Sequence, residues 1–285
     1  MSAQIVLLPG NRLHLNHGPI DLVIAAEGDL EAVARAYMQA AAIFPNILPE
    51  LVAELPLLRA PLGDLPPAVS GAIARRMADA TWPYRDVFIT PMAAVAGAVA
   101  EHVLAAMAEV AELRRASVNN GGDIALHLAP GEQMRVGVVG DLATPKLDAA
   151  VEVASADPVR GVATSGWRGR SQSLGIADAV TVLAATAAAA DAAATMIANA
   201  VNIDDPAIER RPAREARDES DLGDLPVTVS VGTLAAAKVA AALENGVHRA
   251  TELLQRGLIA AAYLQLQGEC RVVGEMKRIA AERAA

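Results

Sequence analysis

Apolar and polar residues alternate near the start of the chain, and this pattern predicts a β-hairpin. Residues 12–15 alternate, a His-Gly-Pro turn follows at 17–19, and residues 20–26 resume with Leu, Val and Ile. Over residues 29–43 the apolar positions recur every three or four residues, which predicts a helix. Six prolines within 45–67 then predict a long connection with little regular structure, containing one short helix.

The rest of the chain mixes long helical patterns with short strand-like runs. Residues 204–224 are charged and carry no period, so we predict an irregular, solvated excursion there. Long helices without a regular strand–helix alternation favour an α+β fold, in which helices pack on an antiparallel sheet. We predict a single domain over residues 1–285. The remaining helices are predicted at 68–79, 92–114, 187–202 and 234–262, and strands at 87–89, 134–139, 161–165, 177–185, 226–231 and 267–273.

Composition limits the class of protein. The chain has 285 residues, of which 53% are hydrophobic and only 2% aromatic, so the core must consist of Ala, Val, Leu and Ile. A formal net charge of -9 argues against nucleic acid and against an anionic membrane surface as partners. The single cysteine, Cys270, excludes an internal disulfide and a cysteine-rich zinc site.

The chain carries no pattern typical of export or of a membrane span. Its first residues include no basic segment and only a short apolar run, which predicts no signal peptide. The most apolar later stretch, 179–201, is mainly alanine and is interrupted by Asp191. We therefore expect a cytoplasmic protein without a membrane partner, whose Ala-rich helices leave apolar faces that suit a homodimer.

The predicted helix 187–202 carries polar residues on one face, which Asn202 continues. Asp191, Thr195 and Asn199 follow one another at intervals of four residues among alanines and aliphatic side chains. A buried carboxylate needs donors or a cation, and an Asp oxygen with a Thr hydroxyl one turn away suits Mg²⁺. An exposed polar stripe on an amphipathic helix would give the same pattern.

The loop within 163–175 combines hydroxyls, glycines and two arginines. In an acidic chain, Arg168 and Arg170 beside backbone N–H groups form a reasonable cradle for a phosphate or carboxylate. A surface turn that contains arginines is the alternative. The hydroxyl and glycine positions of this loop are Thr164, Ser165, Gly166, Gly169, Ser171, Ser173 and Gly175.

A polar cluster, VNNGGDI at 118–124, stands between two strand-like runs. Asn120-Gly121 would suit a two-residue hairpin turn. Alternatively, Gly121 and Gly122 let a flat or phosphorylated ligand approach the backbone, while Asn119, Asn120 and Asp123 hydrogen-bond to it. The local pattern leaves both interpretations open.

Five segments in this order resemble the ApbE family, the FAD:protein FMN transferases. That family shows a Gly/Ala-rich helix start, a V-N-x-G-G-[DN]-[IV] segment, an S-T-S-G strand end, a V-T-V strand and an A-D-A-x-[AS]-T-A helix. The resemblance covers about residues 85–202 and implies an ApbE-like tunnelling fold (T-fold). The corresponding segments here are PMAAVAGAVAE at 91–101, VNNGGDI at 118–124, GVATSG at 161–166, AVTVLA at 179–184 and DAAATMIANA at 191–200.

The resemblance also implies a site. Asp191 and Thr195 match the family's Mg²⁺ ligands, which a backbone carbonyl joins from the helix start, here about Ala94 or Val95. The segment from Asn119 to Asp123 matches the part that lines the flavin nucleotide pocket, and Thr164-Ser165-Gly166 match the strand end beside it. The implied cofactors are Mg²⁺ and FAD or FMN, and the implied partner is a flavoprotein acceptor.

Two family features are absent, and they leave three functions open. Ala96 stands where the family's A-K-G motif has lysine, and SQSLGIADA replaces its H-I-I-D-P stretch. The first function is a Mg²⁺-dependent transfer of FMN from FAD, or chemistry on a similar phosphorylated or heterocyclic small-molecule ligand. The second is a flavin- or nucleotide-binding protein without turnover. The third is an enzyme that acts on a small heterocyclic acid.

Overall fold

The computed structural model of the protein describes residues 2–139, 147–169, 171–217, 220–276 and 278–279. Short 3₁₀ helices occur at Trp82–Tyr84 and Pro91–Ala94. The strands and α-helices follow in the order β1 (Gln4–Leu8), β2 (Arg12–His17), β3 (Ile20–Gly28), α1 (Leu30–Ala53), α2 (Leu55–Leu58), α3 (Ala72–Thr81), α4 (Val95–Val110), β4 (Leu113–Asn120), β5 (Asp123–Leu128), β6 (Gln133–Val139), β7 (Leu147–Ala154), β8 (Gly161–Ser165), β9 (Ala179–Ala184), α5 (Ala187–Ala200), β10 (Ile208–Pro212), α6 (Ala213–Ala216), β11 (Pro226–Val231), α7 (Ala236–Gln255), β12 (Ala261–Leu266), β13 (Glu269–Gly274) and β14 (Arg278–Ile279).

The chain divides into two compact units. A single domain over residues 1–285 therefore stays a prediction. The first unit comprises Met1–Met134, Ala154–Ala163 and Ala184–Ala192, and the second comprises Arg135–Val153, Thr164–Leu183 and Ala193–Ala285.

The first unit contains an antiparallel meander of β1 to β5, with the start of β8 beside β5. The predicted hairpin is confirmed as β2 and β3, with Leu13 opposite Ile24 and Leu15 opposite Leu22. These four side chains are buried, as expected when alternate residues of a strand face the core. The α+β prediction with an antiparallel sheet is therefore confirmed.

Helix α1 is longer than predicted. It begins after Asp29, whose carboxylate accepts the Glu31 N–H at 2.9 Å as an N-cap. It then continues through Pro45 and Pro49, so the prediction of an irregular connection from residue 45 is wrong. Its buried residues keep their helical spacing past both prolines, and this packing outweighs the lost backbone hydrogen bonds. In chain order they are Ala32, Val33, Ala36, Tyr37, Ala40, Phe44, Ile47 and Leu51.

Helix α4 packs against α1, β4 and β5 in the first unit. The segment Pro91–Val110 is long and apolar enough to cross a membrane by length and composition, with a mean hydropathy of 1.5. Half of that window is buried inside the protein, and a core helix of a soluble protein passes the same test.

Helices α4 and α5 approach each other closely at Gly97. A Cβ atom at this position would lie 2.7 Å from the backbone nitrogen of Ala188 and still closer to the carbonyl group of Ala187. Because both obstacles are backbone atoms, only glycine allows this approach.

The second unit contains the antiparallel strands β9, β12 and β13, the pair β10–β11 and the three-stranded sheet β14-β7-β6. The prediction of an irregular segment over 204–224 is wrong for 208–216, which form β10 and α6. Ile208 and Ala213 are buried there, and β10 pairs with β11. The sequence pattern did not indicate this strand, because charged residues occupy its exposed positions.

Two further predictions are corrected. The helix predicted to residue 262 ends at Gln255, because Gly257 adopts a φ of 69° and donates its N–H to the Leu254 carbonyl. The missed strand β12 follows. Residues 87–89 are not a strand, since the Ile89 carbonyl accepts the N–H of Leu62, a loop residue.

Gly97→Ala should destabilise the protein by about 1–3 kcal/mol, because the added methyl group overpacks the α4–α5 contact. The loss should appear although alanine has the better helix propensity by about 1 kcal/mol. Chemical denaturation measures the change. Gly63→Ala is the matched control: no atom lies within 4 Å of a Cβ placed on Gly63, so its effect should stay within about 0.5 kcal/mol. Equal stabilities of the two variants would contradict the packing argument.

Candidate functional site

The VNNGGDI segment forms a hairpin turn. Asn120 ends β4 and Asp123 begins β5, so the turn residues are Gly121 and Gly122, with φ of 66° and 117°. The side-chain oxygen of Asn119 accepts the Gly122 N–H at 2.8 Å and fixes the turn. The hairpin interpretation is thus correct, although the turn begins one residue later than Asn120-Gly121. No atom lies within 4 Å of a Cβ placed on Gly122, so space is open above its backbone.

Asn120 joins this turn to the start of α4. Its buried side chain donates to the Ala96 carbonyl at 3.2 Å and accepts the Asp21 N–H at 3.4 Å. The amide therefore serves the fold of the first unit directly. Ligand contacts by Asn119 and Asn120 stay a prediction.

Asp191 caps α4 from another helix. Its carboxylate oxygen Oδ2 accepts the Gly97 N–H at 3.0 Å, and the Ala96 N–H interacts with the same carboxylate. These N–H groups belong to the first turn of α4, where no carbonyl of the helix can accept them. The positive end of the helix dipole also favours a negative charge at this place.

The capping is reciprocal. Glu101 of α4 accepts the Ala188 N–H at the start of α5 at 3.0 Å, and its other oxygen lies 3.3 Å from Arg76. Each helix thus supplies a carboxylate to the first turn of the other, on either side of the close approach at Gly97. The positions of both acids are fixed by the backbone of the partner helix.

Two effects raise the pKa of Asp191, against the influence of the helix dipole. Burial raises the pKa of its carboxyl group well above the ordinary value, and the negative charge of Asp123 raises it further. Hydrogen bonds from the N–H groups of Gly97 and Ala96 lower the pKa and only partly compensate. Two carboxylates near each other in a partly dehydrated place need positive charge, or one of them keeps a proton.

The metal ligands predicted with Asp191 would all bind through oxygen. Thr195 lies one turn further along α5, and Ala94 ends the 3₁₀ turn that leads into α4. Oxygen atoms of carboxylates, hydroxyls and carbonyls fit Mg²⁺, which fills its remaining positions with water or phosphate oxygens. In the described part of the chain, no group of three or more His, Cys, Asp or Glu could hold a metal ion. Metal binding by Asp191, Thr195 and Ala94 stays a prediction.

In the second unit, the strand end Thr164–Gly166 is tightly packed. The Thr164 hydroxyl lies 2.9 Å from the Thr181 hydroxyl, and Ser165 is buried. Gly166 lies against the carbonyl group of Asp178, where any side chain would collide.

Asp178 organises the loop that follows Gly166, and no local sequence pattern indicated this role. Its carboxylate accepts the Trp167 indole N–H at 3.2 Å and the Gln267 backbone N–H at 2.6 Å. Arg168 forms an ion pair with the same carboxylate at 3.2 Å, and its guanidinium group lies 4.8 Å from the centre of the Trp167 ring. The positive charge of Arg168, which was predicted to bind a ligand, is therefore partly neutralised by Asp178.

The remaining candidates of this loop differ in their surroundings. Arg170 lies outside the described residues. Ser171 is exposed. Ser173 is buried and donates to the Asn199 side chain at 3.2 Å, while its oxygen accepts the Gly175 N–H. Ser173 thus supports the loop.

Replacing Asp191 should change how stability depends on pH. Because the folded-state pKa is raised, the folded protein holds a proton that the unfolded chain loses near pH 4. Without divalent cations, the wild type should therefore lose stability relative to Asp191→Asn as pH rises from about 4 through the folded-state pKa, after which the difference levels off. Thermal or urea unfolding from pH 4 to 8 measures it.

Asp191→Ala provides the contrast, because alanine leaves the Gly97 N–H without its acceptor. It should cost about 1–3 kcal/mol relative to Asp191→Asn, whose side-chain oxygen can still accept. A wild type that gains stability relative to Asp191→Asn over the same pH range would contradict the raised pKa.

Curated relatives match about half of the chain. A "UPF0280 protein" of Methanothrix thermoacetophila is 39% identical over 160 residues, which is 55% of this chain and 65% of that protein. A "UPF0280 protein" of Methanosphaerula palustris is 36% identical over 155 residues, 54% of this chain and 63% of that protein. The chain thus matches somewhat less than two thirds of the length of these relatives.

A solved structure shares the fold. "Flavin Transferase ApbE from Vibrio cholerae" superposes with a TM-score of 0.50 at 12% identity and covers 95% of this chain and 97% of that one. At this identity the likeness concerns the fold alone, and it confirms the expected ApbE-like architecture. The family model described as "AbpE bacteria" matches residues 5–272. The chain is therefore a member of this bacterial ApbE-like family.

Proposed function

We propose that the protein binds Mg²⁺ beside Asp191 and acts on a flavin nucleotide, transferring FMN from FAD to a flavoprotein acceptor. One observation carries the proposal: the partly buried Asp191 carboxylate lies at the start of α4 and accepts the Gly97 N–H, with Asp123 close enough to raise its pKa. The family and the fold support the flavin part of the proposal.

A cation suits this arrangement electrostatically. The N-terminal end of α4 supplies roughly half a positive charge, which is less than two carboxylates require. A divalent cation would supply the rest, and burial would strengthen its attraction to Asp191. In the proposal, Thr195 and the Ala94 carbonyl contribute neutral oxygens, and Asp123 contributes through its charge.

The proposed ligand is one with a flat part and a phosphorylated part. The open space above Gly122 supports a backbone contact with the ligand, and Asn119, Asn120 and Asp123 are proposed to lie along it. For the second unit we propose ligand contacts by Thr164, Ser165, Gly166, Arg168, Arg170, Ser171 and Ser173. The exposed Ser171 and the partly exposed Arg168 are the most accessible of the described members.

The proposed reaction breaks the pyrophosphate bond of FAD. The hydroxyl oxygen of the acceptor would bond to the phosphorus of the FMN half as the pyrophosphate bond breaks, and AMP would leave with the proton of that hydroxyl. Bound Mg²⁺ would neutralise the charge that develops on the phosphate oxygens. The residues of the chain would position the cation and the nucleotide.

A second candidate function is flavin or nucleotide binding without turnover. Ala96 supports it, because the family's lysine at this place is missing. The backbone of Ala96 is engaged by Asn120 and interacts with Asp191. The position therefore contributes to the fold but brings no positive side chain to a phosphate.

Incubation with FAD, MgCl₂ and an acceptor flavoprotein tests the proposal. We expect AMP release and covalent FMN on the acceptor, with both reduced at least about 100-fold in Asp191→Asn. Arg75→Gln, an exchange at an exposed residue of α3, is the matched control and should retain full activity.

Other outcomes have distinct meanings. Stoichiometric FAD binding without AMP release would replace transfer by the second candidate function. The absence of both FAD binding and AMP release would contradict the flavin proposal. Binding of a small heterocyclic acid such as nicotinate would then point to the third function.

A further inference from the structure

Strand β1 is an exposed apolar edge of the first unit. It pairs with β2 on one side, and among the described residues no strand pairs with its other side. Ile5, Val6 and Leu7 expose 48%, 48% and 63% of their surface. An edge strand presents unpaired backbone N–H and C=O groups, which are a template for another strand.

The apolar face of β1 continues the core face of its neighbour. Ile5 lies opposite Leu15 and Leu7 lies opposite Leu13. Leu13 and Leu15 are buried, whereas Ile5 and Leu7 on the same face are not. The layer that covers β2 therefore ends before β1, and one copy of the chain leaves this apolar face to solvent.

β1 also lacks the usual protection of an edge. β13, the edge strand beside β12 in the second unit, carries Glu269 and Arg271, and charged residues at such positions discourage strand addition. The sequence of β1, QIVLL, contains no charge and no proline.

We propose that β1 is an interface at which two copies of this chain pair, antiparallel and about a two-fold axis near Val6. In this register Ile5 of one copy lies opposite Leu7 of the other, and Gln4 lies opposite Leu8. No like charges meet, so the strand is complementary to itself. The pairing uses the open edge of both copies and closes at a dimer.

The small size of the interface determines how the dimer behaves. Stable complexes bury about 800 Å² on each partner, more than five residues of strand provide. The dimer should therefore dissociate on dilution, with a dissociation constant in roughly the micromolar range. A two-fold axis near Val6 also brings the two Val6 side chains close together, within about 5 Å between Cβ atoms.

Charge exchange at Val6 tests the proposal. Sedimentation velocity over about 1 to 500 µM should show a monomer–dimer equilibrium for the wild type. Val6→Lys and Val6→Glu should each weaken the dimer at least tenfold, because like charges face each other across the axis. An equimolar mixture of the two variants should form dimers again, since the charges are then opposite.

Val272→Lys is the matched control, because Val272 is 41% exposed on a different edge strand, β13. This substitution should leave the dimer unchanged. Hydrogen exchange of the wild type supplies a second measurement, in which the β1 amides should become protected as concentration rises. A wild type that stays monomeric, a mixture that fails to dimerise, or concentration-independent exchange in β1 would each overturn the proposal.

Discussion

The first turn of α4 has N–H groups that no carbonyl of the same helix can accept, so they need acceptors from elsewhere in the first unit. Asp191 of α5 accepts the Gly97 N–H, and Glu101 of α4 accepts the Ala188 N–H in return. Both bonds require the helices to come close, and the absence of a side chain at Gly97 allows it. Asn120 then attaches the β4–β5 turn to the Ala96 carbonyl, so the turn is held at the same place.

The same arrangement determines the electrostatic environment of Asp191. An acid used only as a surface cap would ionise freely, whereas burial and the nearby Asp123 raise the pKa of this one. The fold thus keeps two acids near each other where positive charge is in demand. The proposed Mg²⁺ site rests on this electrostatic need and on the oxygen atoms that the predicted ligands Asp191, Thr195 and Ala94 would offer. The structural role and the proposed metal role of Asp191 are compatible, because a carboxylate that accepts backbone N–H groups still has lone pairs for a cation.

Local patterns predicted a large part of the fold, and long-range contacts explain what they missed. The β2–β3 hairpin followed from alternation, and α5 followed from its alanine-rich spacing around Asp191. The continuation of α1 past Pro45 and the strand β10 depend on burial against distant residues, which a local pattern does not contain. Among the site residues, the spacing of Asp191 and Thr195 drew attention to α5, but the partners Gly97, Ala96 and Glu101 lie about ninety positions away in sequence. Asp178 was missed because nothing next to it in sequence indicates that Arg168 and Trp167 converge on its carboxylate.

The ionisation of Asp191 with and without Mg²⁺ tests the central claim most directly. A ¹³C NMR titration of its carboxyl carbon, assigned by comparison with Asp191→Asn, follows this group alone. We predict a pKa clearly above the ordinary value of about 4 in metal-free protein, and a fall when Mg²⁺ is added, because the cation competes with the proton. An ordinary pKa that does not respond to Mg²⁺ would contradict this claim.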